Sequence, residues 1–345
     1  MSVKYLKLKL LGPALLLAFW AAAAVAGIWY EDNSFARRGG LPEDFVYKFQ
    51  QPESWKAARG GLDVYQFRVN MFNRNYPQIT DEFLAKHMIP VLKDGRIKVA
   101  LDTAGPLLSG CKNRARRIDV EFEWISRIKR AGLDVHYVSL QSLLSKPYRE
   151  GRNVLDCPIA ERVKGGIAYA EKFAAVYPNA EFGLIDALPS KGQPYKEAYK
   201  YTRDMFQSRN IPLKYIHLDL SIEMVWNGNN GLSWKKVIEV EEYVKKLGLK
   251  FGLLFTSRQS GQISDEAFYK TIVSGLEDYR RAGGAADHYI IISWFPYPRQ
   301  TVRRVGEVAG GYPVTDAILE FSRRIESPAR VEEMPVRQQQ RRGGG

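Results

Sequence analysis

The sequence predicts an α/β fold, a single-domain (β/α)8 barrel of the TIM type. Apolar, β-branched or aromatic runs of strand length alternate with amphipathic helical stretches between residues 44 and 326, as in βα units around a parallel sheet. The span is near the roughly 250 residues of such a barrel. A doubly wound open sheet is the alternative, but no GxGxxG, GxxxxGKS or GxxxxGKT motif follows any predicted strand.

The amino-terminal 26 residues have the features of an export signal. Three lysines among the first nine residues precede an apolar run at residues 10–26, which ends in small residues suited to signal peptidase. We expect cleavage before Gly27 and a secreted or periplasmic protein. The run is shorter than the roughly 20 residues of a comfortable membrane span. In the alternative, Ile28, Trp29 and Tyr30 extend this apolar run into an uncleaved membrane anchor. Residues 27–43 are predicted to form a linker.

The strands and helices follow in a regular order. Pro158 suits the first turn of a helix, Ser264 suits a helix start, and Gly132, Gly248 and Gly283 suit helix ends. A short strand at Phe45–Phe49 and a brief helix at Pro52–Arg59 complete eight units. The other strands are predicted at 62–70, 97–102, 134–141, 181–187, 213–221, 250–257 and 288–295. The other helices are predicted at 80–92, 116–131, 158–176, 195–209, 233–247, 264–282 and 314–325.

The strand at 213–221 carries an unusual polar row. Side chains alternate between the two faces of a strand, so Tyr215, His217 and Asp219 share one face while Ile216, Leu218 and Leu220 share the other. Polar groups in an otherwise apolar sheet cost stability and are tolerated where a site needs them. We therefore expect His217 and Asp219 to face the inside of the barrel.

Polar or aromatic residues end nearly every predicted strand. In a barrel the carboxyl ends of the strands carry the site. A ring of such residues that includes several acids therefore predicts a functional pocket. The candidate residues are Arg68, Asn70, Asp102, Gln141, Asp186, His217, Asp219, Glu223, Trp226 and Trp294.

Three features are shared with a known group of barrels: the export signal, the acids at the ends of the strands near Glu181 and Leu213, and Ser293-Trp294 at the end of the last strand. In these features the chain resembles the (β/α)8-barrel glycoside hydrolases. In many of these enzymes a tryptophan at the end of the last strand forms the floor of the sugar subsite. The resemblance implies hydrolysis of a glycosidic bond in a poly- or oligosaccharide. The chain departs from well-known patterns of the group, because no Asn-Glu pair ends the fourth strand, no glutamate ends the seventh, and no DxxDxDxE run is found. No particular family is indicated.

Glycosidic hydrolysis uses two carboxyl groups, one protonated and one ionised. Glu223 has apolar neighbours that would raise its pKa and suit the acid role. Asp219 or Asp186 would be the ionised partner. The plainer alternatives are a solvated loop glutamate for Glu223 and, for Asp219, a structural ion pair with Arg68 or Arg258.

The remaining candidates are predicted to bind substrate. Asp102 accepts hydrogen bonds from sugar hydroxyls or, alternatively, from its own turn. Trp226 and Trp294 can stack on sugar rings, whereas Trp234 lies in a predicted helix and is better explained as core. His217 is either a ligand or, as we prefer, a buried histidine bonded to a neighbour.

Cys111 and Cys157 are the only cysteines, and an oxidising compartment favours a disulfide between them. They follow consecutive predicted strands, so both loops emerge at the same rim. Two buried thiols are the alternative.

Loss of the signal lowers the formal net charge from +13 to +10. After export, nucleic acid is the least expected partner of this basic chain. We expect a monomer that acts on carbohydrate and needs no cofactor, with contact to a membrane only through an uncleaved amino-terminal segment. Residues 327–345 are predicted to be a disordered basic tail.

Two rival functions fit the same sequence. A barrel that binds glycan or cell-wall material without cleaving it is one. The other is a metal-dependent barrel enzyme that uses Asp102, Asp186, His217, Asp219 and Glu223 as ligands, although a single histidine in that set weakens it.

Overall fold

The computed structural model describes residues 26–32, 41–103, 114–145, 158–189, 194–304 and 311–326. Eight parallel strands form one closed barrel in sequence order, and the last strand pairs with the first. The predicted fold class is therefore confirmed. The strands are β1 Gly27–Glu31, β2 Val64–Arg68, β3 Lys98–Asp102, β4 Tyr137–Gln141, β5 Glu181–Asp186, β6 Leu213–Leu218, β7 Lys250–Phe255 and β8 His288–Ile291.

Helices form the outer layer. They are α1 Phe45–Gln50, α2 Lys56–Gly60, α3 Asp81–Phe83, α4 Ile89–Asp94, α5 Arg114–Arg130, α6 Ile159–Val176, α7 Lys196–Gln207, α8 Ile222–Trp226, α9 Trp234–Lys246, α10 Asp265–Arg281 and α11 Val314–Glu326. A π-helical turn at Leu84–Met88 joins α3 to α4. Short 3-10 turns occur at Pro52–Trp55, Val69–Phe72, Asn229–Gly231 and Ser260–Gln262.

Local sequence sets the ends of these helices. Ser233 and Ser264 each accept a hydrogen bond from a backbone N–H in the first turn of α9 and α10, over 3.2 and 3.0 Å. Gly132, Gly248 and Gly283 follow helices with φ values of +85°, +76° and +96°, a conformation that favours glycine. The predicted helix ends are thus confirmed.

The start of the barrel differs from the prediction. Phe45–Phe49 belongs to helix α1, and the first strand is Gly27–Glu31, within the predicted linker. The barrel therefore begins at Gly27 and not near residue 44. The strand was missed because Ile28, Trp29 and Tyr30 continue the preceding apolar run, so that no polar residue marks where the strand begins.

Two separate apolar clusters divide the barrel into an inside and an outside. Ile216, Leu218 and Leu220 belong to the large cluster shared with the helices. Trp29, Tyr215 and other inward residues form the small inner cluster. His217 lies in the inner layer against the Trp29 ring, at 4.7 Å between centroids. The predicted division of the two faces of β6 is confirmed.

Two glycines make room for the rings inside the barrel. A Cβ atom on Gly183 would overlap the Tyr215 ring, and one on Gly252 would overlap the His217 ring. Gly183 and Gly252 lie beside these residues in the strands that flank β6. The large inward side chains of β6 therefore require neighbours without side chains.

Candidate active site

The carboxyl-terminal mouth of the barrel collects polar side chains from several strands. Some of them lie two residues beyond a member of the inner cluster and so share its inward side. Examples are Glu31 after Trp29, Asp102 after Ala100, and Thr256 after Leu254. Trp294 is partly buried and contacts the same cluster.

An ionic and hydrogen-bonded group joins the first three strands at this mouth. The Glu31 carboxylate accepts from Gln66 Nε2 over 2.6 Å and from Arg68 Nε over 3.0 Å. Arg68 Nε also lies 3.6 Å from Asp102 Oδ2. All four side chains are buried. One guanidinium thus lies between two buried carboxyl groups, a balance of one positive charge against two negative ones.

Burial shifts the pKa values of both acids, and the neighbouring charges modify these shifts. Burial, together with the Asp102 carboxylate, raises the pKa of Glu31 to about 8. Burial raises the pKa of Asp102 to about 6 against the opposing effect of Arg68, and the Asp219 carboxylate acts in the same direction as burial. At neutral pH, Glu31 is therefore predominantly protonated. Asp219 lies close enough to Asp102 to belong to the same electrostatic group, and it is the more exposed of the two.

Several buried polar atoms around the mouth lack a hydrogen-bond partner in the part of the chain that the structure describes. Buried polar atoms are rarely left unpaired in proteins. Their presence beside the acids makes this end of the barrel suited to a polar ligand. They are Asn70 Oδ1, both Asp102 oxygens, Gln141 Oε1, Thr256 Oγ1 and Trp294 Nε1.

Asp186 lies away from this group. It shares the outward side of β5 with Phe182 and Leu184, and its carboxylate accepts from the backbone N–H groups of Leu144 and Ser145 over 2.7 and 3.0 Å. Burial nevertheless raises its pKa to about 6. Asp186 therefore holds the segment after β4, and its predicted role as a catalytic partner of Asp219 loses its geometric basis.

Glu223 is also bound to a neighbouring loop. Its carboxylate accepts from the Ser257 hydroxyl and from the backbone N–H groups of Arg258, Gln259 and Ser260 over 3.1 to 3.3 Å. It is buried in the first turn of α8. Glu223 therefore fixes the segment after β7, and its carboxylate oxygens are engaged by that segment, an arrangement that the apolar neighbours in sequence did not indicate.

His217 and Trp226 occupy other places than the predicted substrate site. His217 Nε2 lies 2.9 Å from His288 Nδ1, and burial lowers the pKa of His217 well below its usual value. It is therefore a neutral residue of the inner aromatic layer, as our preferred interpretation had it. Trp226 donates through Nε1 to Asp278 of α10 over 2.9 Å, which places it in the helical layer.

The predicted metal-ligand set is not assembled. Asp186 and Glu223 bind separate loops, and His217 pairs with a second histidine. No group of three or more potential metal ligands is found among the residues described above. The same ranges contain no helix that is long and apolar enough to cross a membrane.

Two buried acids near the mouth were not among the site residues predicted from the sequence. Glu31 was hidden in the assumed linker. Glu121 of α5 is buried beside Asp102, and burial followed by the Asp102 charge raises its pKa well above the usual value. A signal was available for Glu121, because it lies three residues after Ile118 and four before Ile125, on the apolar face of its helix.

The remaining predictions fall outside the described ranges. Cys111 and Cys157 both lie there, so their disulfide stays a prediction. So do most of the export signal and the basic tail.

Comparison with known proteins relates the chain to others through its fold. No family model matches it, and no curated protein is similar in sequence. Among solved structures, it is similar to a glucosidase from Croceicoccus marinus, with a TM-score of 0.53 and 12% identity over 88% of this chain and 68% of that one. It is also similar to a fungal β-1,4-galactanase, with a TM-score of 0.51 and 9% identity over 86% and 99% of the two chains.

A psychrophilic glycoside hydrolase family 10 endo-β-1,4-xylanase matches with a TM-score of 0.46 and 11% identity over 79% and 86% of the chains. The chain shares the (β/α)8 barrel of the glucosidase and the galactanase, so the fold that the resemblance implied is confirmed. At such identities the likeness is one of fold alone.

Proposed function

We propose that the protein hydrolyses glycosidic bonds at the carboxyl-terminal mouth, with Asp102 as the proton donor and Asp219 as the nucleophile or general base. The observation that carries the proposal is the state of Asp102. Its carboxyl group is buried, its two oxygens have no hydrogen-bond partner within the described ranges, and its pKa is raised to about 6. A carboxyl group that keeps its proton near pH 6 suits protonation of a leaving oxygen.

Asp219 supplies the complementary acid. It directly follows β6, and its charge reaches Asp102 at the end of β3. Paired carboxyl groups whose environments differ are the requirement of both retaining and inverting hydrolysis. Arg68 acts as a positioning residue, since its charge opposes the effect of burial on the pKa of Asp102, and Glu31 holds Arg68 over 3.0 Å. Trp294 and Gln141 would contact the sugar, the first by stacking and the second by hydrogen bonding.

A screen for released reducing ends tests this proposal. We choose β-1,4-galactan and aryl glucosides first, because a β-1,4-galactanase and a glucosidase share the fold. The variants are Asp102→Asn and Asp219→Asn, and the matched control is Asp204→Asn on the exposed face of α7. We expect activity in the parent and the control and a loss of about 10²-fold or more in the two site variants. Equal activity in all four proteins would refute the assignment.

A glycan-binding barrel without hydrolysis is the second candidate. It is favoured by the hydrogen bonds that Asp186 and Glu223 accept from neighbouring loops. Because of these bonds, two of the four acids predicted at the mouth do not serve as catalytic groups. Affinity electrophoresis in the same polysaccharides distinguishes the two functions. Retardation without release of reducing ends, weakened by Trp294→Ala, would support binding alone.

Export of the protein is proposed as well. The apolar segment ends where β1 begins, and the Gly27 backbone nitrogen lies 2.8 Å from the Asp287 carbonyl oxygen. A new amino terminus created before Gly27 would keep this contact. Amino-terminal sequencing of the protein recovered from the cell envelope and from the medium distinguishes a cleaved signal from a retained anchor.

A further inference from the structure

A cavity lies at the amino-terminal end of the barrel, opposite the proposed active site. Its volume is about 390 Å³. We call it the basal cavity and define it by Trp29, Arg96, Lys98, Tyr137, Lys250 and His288. Most of these residues lie at the starts of β3, β4, β7 and β8. The cavity is therefore separated from the mouth by the inner aromatic layer.

Cations dominate this cavity. Arg96, Lys98 and Lys250 are exposed and have no ion pair with any carboxylate that the structure describes. Arg59 also lines the cavity but is held by Asp94 over 3.1 Å. The two acids in the lining, Asp63 and Asp287, each accept a backbone N–H, from Ile28 over 2.7 Å and from Phe251 over 2.9 Å. The lining thus carries four cations against two carboxylates, an excess of positive charge.

The base of the cavity shows that two of these amines converge. Burial lowers the pKa of His288 to about 3, and Lys250 and Lys98 add to the effect by their charges. Lys98 Nζ also donates to the Tyr137 hydroxyl over 3.3 Å. The two lysines therefore flank one neutral imidazole above a floor of aromatic rings.

We propose that the basal cavity binds a phosphate-bearing organic ligand. Two ammonium groups and a guanidinium around one concave site match the charge and the several acceptor oxygens of a phosphate. The Trp29 and Tyr137 rings offer apolar contact for the carbon part of the molecule. This site is independent of the proposed hydrolysis at the mouth.

The position of the cavity favours a phospholipid headgroup as the source of the phosphate. Gly27 lines the cavity and directly follows the apolar run at residues 10–26. Because Ile28, Trp29 and Tyr30 belong to β1, only the run at residues 10–26 is left to be held in a membrane. If that run were retained there, this end of the barrel would lie against the headgroup layer, where anionic lipids attract basic groups. A soluble sugar or glycerol phosphate has the same chemistry, and the two sources are separated by experiment.

The first arm measures a soluble ligand by titration calorimetry of the full chain with glycerol 3-phosphate. The Lys98→Gln/Lys250→Gln variant removes the two converging amines. The Lys164→Gln/Lys235→Gln variant removes the same charge from exposed positions in α6 and α9, whose first turns lie at the other end of the barrel. We expect binding to the parent and the control, and affinity weakened about tenfold or more in the first variant.

The second arm measures lipid contact in the full chain bound to vesicles. The rate of lysine acetylation is followed by mass spectrometry in phosphatidylcholine vesicles with and without phosphatidylglycerol. Protection of Lys98 and Lys250 by phosphatidylglycerol, with Lys164 and Lys235 unchanged, assigns the site to a headgroup. Binding in the first arm alone assigns it to a soluble phosphate. Failure in both arms, or affinity unaffected by Lys98→Gln/Lys250→Gln without lipid protection, overturns the proposal.

Discussion

Arg68 donates through Nε to Glu31 over 3.0 Å and so links the ends of the first two strands inside the barrel. The contact is buried, and the nearby Asp102 competes for the same guanidinium at 3.6 Å. Burial, followed by the Asp102 charge, makes the ionised form of Glu31 costly in the folded protein. The pKa of Glu31 is accordingly raised to about 8.

This shift predicts that stability falls as the pH rises toward about 8. A carboxyl group whose pKa is higher in the folded state stabilises the fold below its unfolded pKa, and that stability is lost as the pH rises through the folded value. From pH 6.5 to 8, Glu31 contributes a slope of up to about 1.4 kcal/mol per pH unit. The contribution of Asp102 ends near pH 6. Glu31→Gln should flatten the slope in guanidinium unfolding.

Glu197→Gln, at an exposed position in α7, is the control for this measurement and should keep the parent slope. An unchanged slope in Glu31→Gln would show that Glu31 is ionised in the folded protein at neutral pH.

Glu223→Gln should lower stability more than catalysis. The amide has one carbonyl oxygen in place of the two carboxylate oxygens that accept from the segment after β7. We expect a loss of about 1–3 kcal/mol in the free energy of unfolding. Turnover per folded molecule should stay within tenfold of the parent, whereas Asp219→Asn should lose turnover and keep its melting temperature. If Glu223→Gln instead lost turnover and kept its melting temperature, Glu223 would be a catalytic residue.

Gly252→Ala should destabilise the barrel by about 1–3 kcal/mol or more, because its Cβ would overlap the His217 ring. Gly60→Ala is the matched control, since nothing lies within 4 Å of the Cβ position there and its φ is ordinary. Chemical denaturation of the two variants compares them directly. Equal stabilities would mean that the inner rings can move aside at little cost.

Lys48→Met should destabilise the protein by about 3–5 kcal/mol, because it leaves a buried acid without its cation. Lys48 Nζ lies 2.5 Å from Asp32 Oδ1, and both side chains are buried. Tyr30 and Tyr65 also donate to Asp32. The double variant Lys48→Met/Asp32→Asn should recover part of the loss in a double-mutant cycle. Additive effects would show that the pair contributes nothing as a pair.

Sequence periodicity predicted the barrel well because each βα unit carries its own local information. Alternation on β6 placed Ile216 and His217 on opposite sides, and Ser264 marked the start of α10 through a bond within one turn. β1 escaped because a strand of five residues follows an apolar segment with no polar boundary. Its loss from the prediction also hid Glu31.

The individual roles of the acids required the tertiary structure. Asp186 and Glu223 end or follow strands just as Asp102 does. Their hydrogen-bond donors come from neighbouring segments, about 40 residues away for Asp186 and about 35 for Glu223. The sequence of one strand does not show whether a loop of the next βα unit will donate hydrogen bonds to a carboxylate at its end. The sequence therefore located the mouth of the barrel, while the contacts between loops decided which acids remain open there.

The pairing of Gly27 with His288 bears on the biogenesis of the protein. The two residues that meet in this step are separated by about 260 positions, so the barrel closes only after nearly the whole chain has been synthesised. Until then one edge of β1 is unpaired, and β1 directly follows the apolar run at residues 10–26 that would engage the translocation machinery. In the export that we propose, a chain handed over before β8 emerges would not yet have closed its barrel and would still have the open form that a narrow translocation channel accepts.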